Sequence, residues 1–386
     1  MNRVVVVSTV SYPRGGATAN YLQYLLSAFQ EIGYETIIIA EPNKEFVAEN
    51  SECYLKSRII SCYYNSKSKI AKRLMNGKMY PYYIKKVLKE LSLAQNDIVI
   101  PLGDYRIHEA VLSRRNRDHY RTVACPLEWF PENYFSSKKR YLAEKKYFEG
   151  CLPRHDYLLP ISTHISEHFT TLGVPNTVVP IMADTSEFVY TPKMKKSDKY
   201  KFILTANGAM KDSLDEMLKG LASVNVEKLQ AIEFHLCGVK EEKIEQILNM
   251  EERRKLKNVL IRHDWLRYDE LTDLFNQMHY ILLARPITQV TLSNFPSKIP
   301  EALCYGIVPV VSRVGDYTNL YLQDGKESFV FDGCTAKDCC NAIERAVSVP
   351  FEEWLQMSHA ARKMAEERFD YHNWISVLKS VVEKMR

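Results

Sequence analysis

The chain has 386 residues, too many for one ordinary domain and suited to two of about 150–200 residues each. Hydrophobic residues make up 46% of it and charged residues 26%, which excludes a disordered chain and allows a full core to be buried without staples. The net charge of +5 is modest, no apolar run reaches the roughly 18 residues of a membrane-spanning helix, and nine scattered cysteines without a Cys-x-x-Cys spacing read as buried reduced thiols.

Met1-Asn2-Arg3 leads into four valines, Val4 to Val7. Such a run is a strand and too short for the apolar region of a signal peptide, so a cytoplasmic location is expected. Leu22, Leu25, Leu26 and Phe29 recur at helical spacing between Ala17 and Gly33, and Thr36–Ala40 is again a strand. From Ser51 to Glu90 the chain holds ten Lys or Arg and only two acids, Glu52 and Glu90, interleaved with Tyr54, Tyr63, Tyr64, Tyr80, Tyr82 and Tyr83. That tract is either a surface for an anionic partner or a solvated face with tyrosines packed beneath it. Strands follow at Asp97–Leu102, Arg121–Cys125 and Tyr157–Ile161, with a helix from Thr163 to Leu172. Alternation of this kind predicts a parallel sheet with helices on both faces.

Residues 184–200 are polar, with Pro192, Lys193, Lys195, Lys196 and Lys199, and read as a linker. Alternation then restarts: strand Phe202–Ala206, helix Ser213–Ser223, strands Ala231–Cys237 and Val259–His263, helix Tyr268–Met278, strand His279–Ala284, helix Pro296–Tyr305 stopped by Gly306, and strand Val308–Ser312. The stretch from Glu352 to Arg386 reads as helical. The fold class expected is α/β, with two Rossmann-like domains facing each other across a cleft: residues 1–183 for the acceptor, 201–365 for a nucleotide ligand, and a C-terminal helix at 366–386 that packs back on the first domain.

Three turns suit phosphate. The first strand runs into Tyr12-Pro13-Arg14-Gly15-Gly16 and then a helix, whose free N–H groups and positive dipole end attract a diphosphate. An ordinary tight strand–helix turn has the same residues. Phe202–Ala206 leads into Asn207-Gly208-Ala209-Met210-Lys211-Asp212 and a second helix. A lysine at a helix start opposes the dipole, which makes sense if Lys211 faces an anion; otherwise it is simply exposed. The third stretch is Asn294-Phe295-Pro296-Ser297-Lys298-Ile299-Pro300-Glu301, after a strand ending at Ala284-Arg285. Its amides and Lys298 would hold phosphate. Glu301, about a turn further on, would accept two hydroxyl hydrogen bonds from a ribose, or is an ordinary exposed helix glutamate.

In order, Gly15-Gly16, Ile161-Ser162, Gly208 to Lys211-Asp212, and the stretch from Phe295 to Asp316 resemble the GT-B glycosyltransferases of family 4, of the bacterial capsular and surface polysaccharide type. The resemblance covers nearly the whole chain and is strongest from His279 to Gly325. It implies sugar transfer from a nucleotide diphosphate sugar, UDP-linked, to a glycan or lipid diphosphate-linked acceptor, with retention at the anomeric carbon. It implies that Glu301 holds the donor ribose, Lys211 the diphosphate, and Phe295, Ser297 and Lys298 the phosphates. Gly15, Gly16 and Gly208 would lie beneath the donor, and His263 would border the base. Leu322 to Gly325 resembles the family's turn after the ribose site.

Some positions depart from the pattern. Ser293 stands where the family has its first, sugar-contacting glutamate. The family's arginine near the diphosphate lysine is missing, and Arg285 is expected to clamp phosphate in its place, as a forked donor. After strand Arg121–Cys125, Glu128 is expected to line the acceptor or donor-sugar side, with Asp104 the second candidate. No Asp-x-Asp occurs in a suitable loop, so no metal and no cofactor are expected. Residues 56–89 would contact the anionic inner membrane peripherally, and no nucleic-acid module is recognisable. The rival functions are a nucleotide-sugar epimerase on the same fold and a non-catalytic nucleotide-sugar-binding subunit.

Overall fold

The computed structural model describes residues 2–14, 16–44, 46, 53–61, 79–192, 199–206 and 211–385. Two compact units divide the chain: Met1–Met182 with Tyr371–Arg386, and Ala183–Asp370. Among the described residues no helix is long and apolar enough to cross a membrane.

The first unit is built on β1 (Arg3–Ser8), β2 (Glu35–Ile39), β3 (Cys53–Tyr54), β4 (Ser57–Ile60), β5 (Ile98–Leu102), β6 (Arg121–Ala124) and β7 (Tyr157–Leu158). Their order in the sheet is β3-β4-β2-β1-β5-β6-β7. All neighbours are parallel except the β3/β4 hairpin. Val5 pairs with Ile37 on one side and Val99 on the other, and Val4 to Val7 are fully buried. A strand covered on both faces reads as a continuous apolar run, which is why these valines do not alternate with polar residues. Arg3 fixes the strand's start through a 2.6 Å ion pair with Asp97. β7 stops at Leu158, short of the expected Ile161, because Pro160 has no N–H for a ladder.

The second unit carries β8 (Tyr200–Thr205), β9 (Ile232–Cys237), β10 (Leu260–His263), β11 (Tyr280–Leu283), β12 (Val308–Ser312) and β13 (Phe329–Phe331). They form an all-parallel sheet in the order β10-β9-β8-β11-β12-β13. One face meets helices Leu214–Ser223 and Ala336–Ser348, with Phe202, Leu204, Phe234, Leu236, Tyr280 and Leu282 in the core between them. β9 leaves β8 on one side and β11 joins it on the other. The strand order therefore reverses between β8 and β11, and the crevice outside their C-terminal ends is the switch point where such sheets bind ligands.

The segment expected as a linker belongs to this unit over its described residues. It carries a short turn, Thr185–Glu187, and the Thr185 N–H donates to Asp370 Oδ2 at 3.0 Å. The expected unbroken helix from Glu352 is interrupted there. Helix Phe351–Met364 ends in a wide turn at Ala365–Phe369, and Asp370 is extended and bridged to Ala183. Beyond it, helix Ile375–Lys384 packs within the first unit on helix Ala17–Glu31.

Candidate functional site

The switch point of the second unit gathers the strongest charges. The Ser213 N–H donates to the Ala284 carbonyl at 2.9 Å, pinning the loop after β8 against the end of β11. This delivers Asp212 to Arg285, whose Nε donates to Asp212 Oδ1 at 2.7 Å. Lys298, at the start of helix Lys298–Cys304, donates from Nζ to Asp212 Oδ2 at 3.0 Å and to the Thr205 carbonyl at 2.7 Å. Arg285 Nη1 reaches Asn294 Oδ1 at 2.9 Å, and the Arg285 N–H donates to Ser312 Oγ at 2.7 Å. One carboxylate thus ties together the ends of β8 and β11 and the loop before helix Lys298–Cys304.

Electrostatics follow from burial. Burial pushes the Asp212 carboxyl up, but Lys298 and Arg285 outweigh it and hold it below the usual range. Burial pushes Lys298 down, Asp212 pushes it back, and Arg285 and Lys211 add to the lowering. The Lys298 side chain is 18% exposed and that of Arg285 only 2%. Arg285, expected as a phosphate clamp, has a buried guanidinium whose Nε donates to Asp212 and whose Nη1 donates to Asn294.

The other expected residues of this unit are placed as follows. Lys211 is half-buried, directly before Asp212. Glu301 is half-buried in the first turn of helix Lys298–Cys304, three residues from Lys298 and so on the same side of the helix. The Phe295 ring is core, 5.7 Å from Tyr321 and 5.8 Å from Phe369. Ser297 holds the N-cap position without a side-chain cap bond; behind it the Ile299 N–H donates to the Pro296 carbonyl at 3.0 Å, the Glu301 N–H donates to the Ser297 carbonyl at 3.4 Å, and Pro300 has no N–H. Ser293 is fully buried and donates to the Val290 carbonyl at 3.1 Å. His263 ends β10, with Nε2 2.9 Å from His235 Nδ1, and His235 Nε2 lies 2.8 Å from Glu233. Burial, then His235 and Arg262, lowers the His263 pKa. Gly208 lies outside the described residues, as does Gly15.

In the first unit, Gly16 has an extended backbone at the start of helix Ala17–Glu31, and a Cβ there would meet nothing within 4 Å. Glu128 is half-buried in the loop after β6. Asp104 is corrected to a helix cap: its carboxylate accepts the Arg106 N–H at 2.9 Å. Two residues that sequence reasoning passed over take part. Asp212 is the hub of the second unit, and Glu144 has its carboxyl raised to about 7 by burial and then by the Glu128 charge. In the basic tract, residues 62–78 lie outside the described residues. Tyr80 is buried and donates to the Ser8 carbonyl at 2.9 Å, while Lys86 and Lys89 are exposed on helix Tyr80–Glu90. Among the described residues no group of three or more His, Cys, Asp or Glu is arranged to hold a metal.

The chain matches no family model, and no curated protein matches it in sequence. In structure it is similar to a glycosyltransferase from Rickettsia africae, with a TM-score of 0.69 at 12% identity over 100% of this chain and 99% of that one. It is similar to Anabaena HepE, crystallised with UDP and glucose, with a TM-score of 0.70 at 10% identity over 99% of this chain and 100% of that one. A sucrose-phosphate synthase from Thermosynechococcus elongatus gives a TM-score of 0.72 at 12% identity over 100% of this chain and 99% of that one. The fold is that of the GT-B glycosyltransferases. Each of the two parallel sheets described above is one of its Rossmann-like domains.

Proposed function

We propose that the chain is a glycosyltransferase that moves a sugar from a UDP-linked donor to a glycan or lipid diphosphate-linked acceptor in surface polysaccharide synthesis, retaining configuration at the anomeric carbon. The observation that carries this reading is the grouping of Lys298 and Arg285 around Asp212, beside Lys211, at the switch point of β8 and β11. Sugar transfer builds negative charge on the leaving diphosphate. Cations fixed before the reaction begins stabilise that charge without reorganising. Lys298 and Lys211 take that role here, and no metal is required. Arg285 acts through Asp212. Glu301 accepts the two ribose hydroxyls, and His263 borders the base. Gly16 and Glu128 lie on the acceptor side. The fold shared with HepE, which was crystallised with UDP and glucose, supports the choice of base. Exposed Lys86 and Lys89 favour peripheral contact with an anionic membrane face from the cytoplasm.

Incubation with UDP-sugars, with and without polysaccharide or lipid-linked acceptors, tests this reading. Release of UDP that depends on acceptor and is lost in Glu301→Ala supports transfer. Conversion of the donor alone means an epimerase. Ser293, buried where the family's sugar-contacting glutamate is expected, favours the second reading, a subunit that binds nucleotide sugar without turning it over. Binding of donor with no turnover under any acceptor would select that reading.

A further inference from the structure

The inference rests on the switch point of the second unit being a nucleotide diphosphate site. We propose that Asp212 is a positioning residue for that diphosphate: its carboxylate aims the Lys298 ammonium and anchors Arg285, and so sets both the charge and the direction of the phosphate cradle.

Geometry is the first argument. Both Asp212 oxygens are used, Oδ1 by Arg285 at 2.7 Å and Oδ2 by Lys298 at 3.0 Å. An ammonium has three N–H groups at tetrahedral angles. Two of those of Lys298 are taken, by Asp212 and by the Thr205 carbonyl at 2.7 Å, so the direction of the third is set. The Lys298 side chain as a whole is 18% exposed. Lysine is otherwise a compact charge on a flexible stem and aims poorly.

Charge is the second argument. Two cations, Arg285 and Lys298, share the one carboxylate of Asp212, and a diphosphate complements the positive charge that remains. The groups facing Lys298 are Asp212 and Lys211 from the loop after β8 and Arg285 from the end of β11. Tyr317 lies near Arg285 and Asp212, and burial raises its pKa and keeps it neutral. Burial, Arg285 and Lys211 all push the Lys298 pKa down, and Asp212 is the group that pushes it up. Without the carboxylate, only influences that lower it remain on Lys298, and the ammonium loses an aiming acceptor as well.

Calorimetric titration with UDP and with inorganic pyrophosphate, between about pH 6 and about pH 9, tests the proposal on the full chain. Each variant is compared with wild type at the same pH, because the phosphates of both probes themselves titrate in this range. Relative to wild type, Asp212→Asn should bind at least about tenfold more weakly at the alkaline end and regain part of that loss at the acid end, where protonation of Lys298 is favoured. Asp212→Asn combined with Lys298→Arg should lose that pH dependence, because a guanidinium stays protonated throughout. Asp212→Glu keeps the charge but displaces it, and should weaken binding at every pH. A folded Asp212→Asn protein that binds both probes as the wild type does, at every pH, overturns the proposal. Should Asp212→Asn fail to fold, wild-type affinity in Asp212→Glu overturns it. Wild-type protein that binds pyrophosphate but no nucleotide defeats the nucleotide reading and leaves Asp212 to be judged on pyrophosphate. Wild-type protein that binds neither probe defeats both.

Discussion

Asp212 and Arg285 stand 73 positions apart in the chain and meet in a 2.7 Å ion pair. The Arg285 side chain is 2% exposed and that of Asp212 is 9% exposed, so the pair is desolvated. Breaking the pair leaves Asp212 held by Lys298 alone, with one carboxylate oxygen stripped of its charged donor.

Replacing Arg285 by alanine is therefore expected to destabilise the protein by about 1.5–3 kcal/mol, because Asp212 Oδ1 and Asn294 Oδ1 each lose this charged donor in the interior while Lys298 still holds Asp212 Oδ2. Equilibrium unfolding in urea reads this as a lower midpoint. A loss below about 1 kcal/mol, typical of an exposed ion pair, would remove Arg285 from the framework of the site.

Replacing Glu301 by alanine should leave the fold intact, because the side chain is half-buried in the first turn of a short helix. Two hydrogen bonds to a charged acceptor would be lost, each worth about 1.5–3 kcal/mol, so UDP affinity should fall at least about tenfold. Calorimetry with UDP and with pyrophosphate separates the causes. A ribose role predicts loss for UDP and little change for pyrophosphate. Equal losses would place Glu301 on the phosphates.

The second unit was largely legible in the sequence. Most of its strands are short apolar runs, and the stretch from Phe295 to Gly315 announces a loop, a short helix and a buried strand. Other elements left weaker marks. β3 and β13 are two and three residues long, too short for periodicity to register. Helix Tyr105–Asp118 carries so many arginines that its buried stripe of Ile107, Val111 and Leu112 is hard to see. The direction of the Arg285 guanidinium could not be read, because its partners Asp212 and Asn294 are supplied by tertiary packing. The capping role of Asp104 was in principle visible, since an aspartate directly before a helix is a preferred cap.

Acid should weaken the first unit through a buried histidine pair. His108 Nδ1 lies 2.9 Å from His155 Nε2, with the residues 1% and 4% exposed. Burial holds His108 down to about 3, and burial and then His108 lower His155 further. Folded His108 stays neutral where the unfolded chain takes up a proton. The stability it contributes is therefore present above about pH 6.5 and falls as the pH drops toward 3, by up to about 1.4 kcal/mol per pH unit. Glu144 acts in the opposite sense, because burial and then Glu128 raise its carboxyl to about 7, and stability falls as the pH rises through that value. Comparing melting temperatures of wild type and His108→Gln from about pH 7 to about pH 5 isolates the histidine. A shallower decline in the variant is expected. An identical decline would contradict the assignment.

Gly220 marks the closest approach of helices Leu214–Ser223 and Ala336–Ser348. A Cβ there would stand 2.6 Å from Cys339 Cβ and 2.7 Å from the Ala336 carbonyl. Gly220→Ala should cost about 1–3 kcal/mol by forcing the helices apart, despite alanine's better helix propensity. Thermal unfolding that rises in the variant would contradict this packing.

The central claim, that the second unit binds a nucleotide diphosphate sugar, is tested most directly by thermal shift against a panel of UDP-, GDP-, ADP- and dTDP-sugars. A ligand bound only by the folded state adds about 2.7 kcal/mol at a hundredfold excess over its Kd, so the melting temperature should climb with concentration. The expected result is such a rise with a UDP-sugar, reduced in Glu301→Ala and in Asp212→Asn. No rise with any nucleotide sugar at millimolar concentration would contradict it.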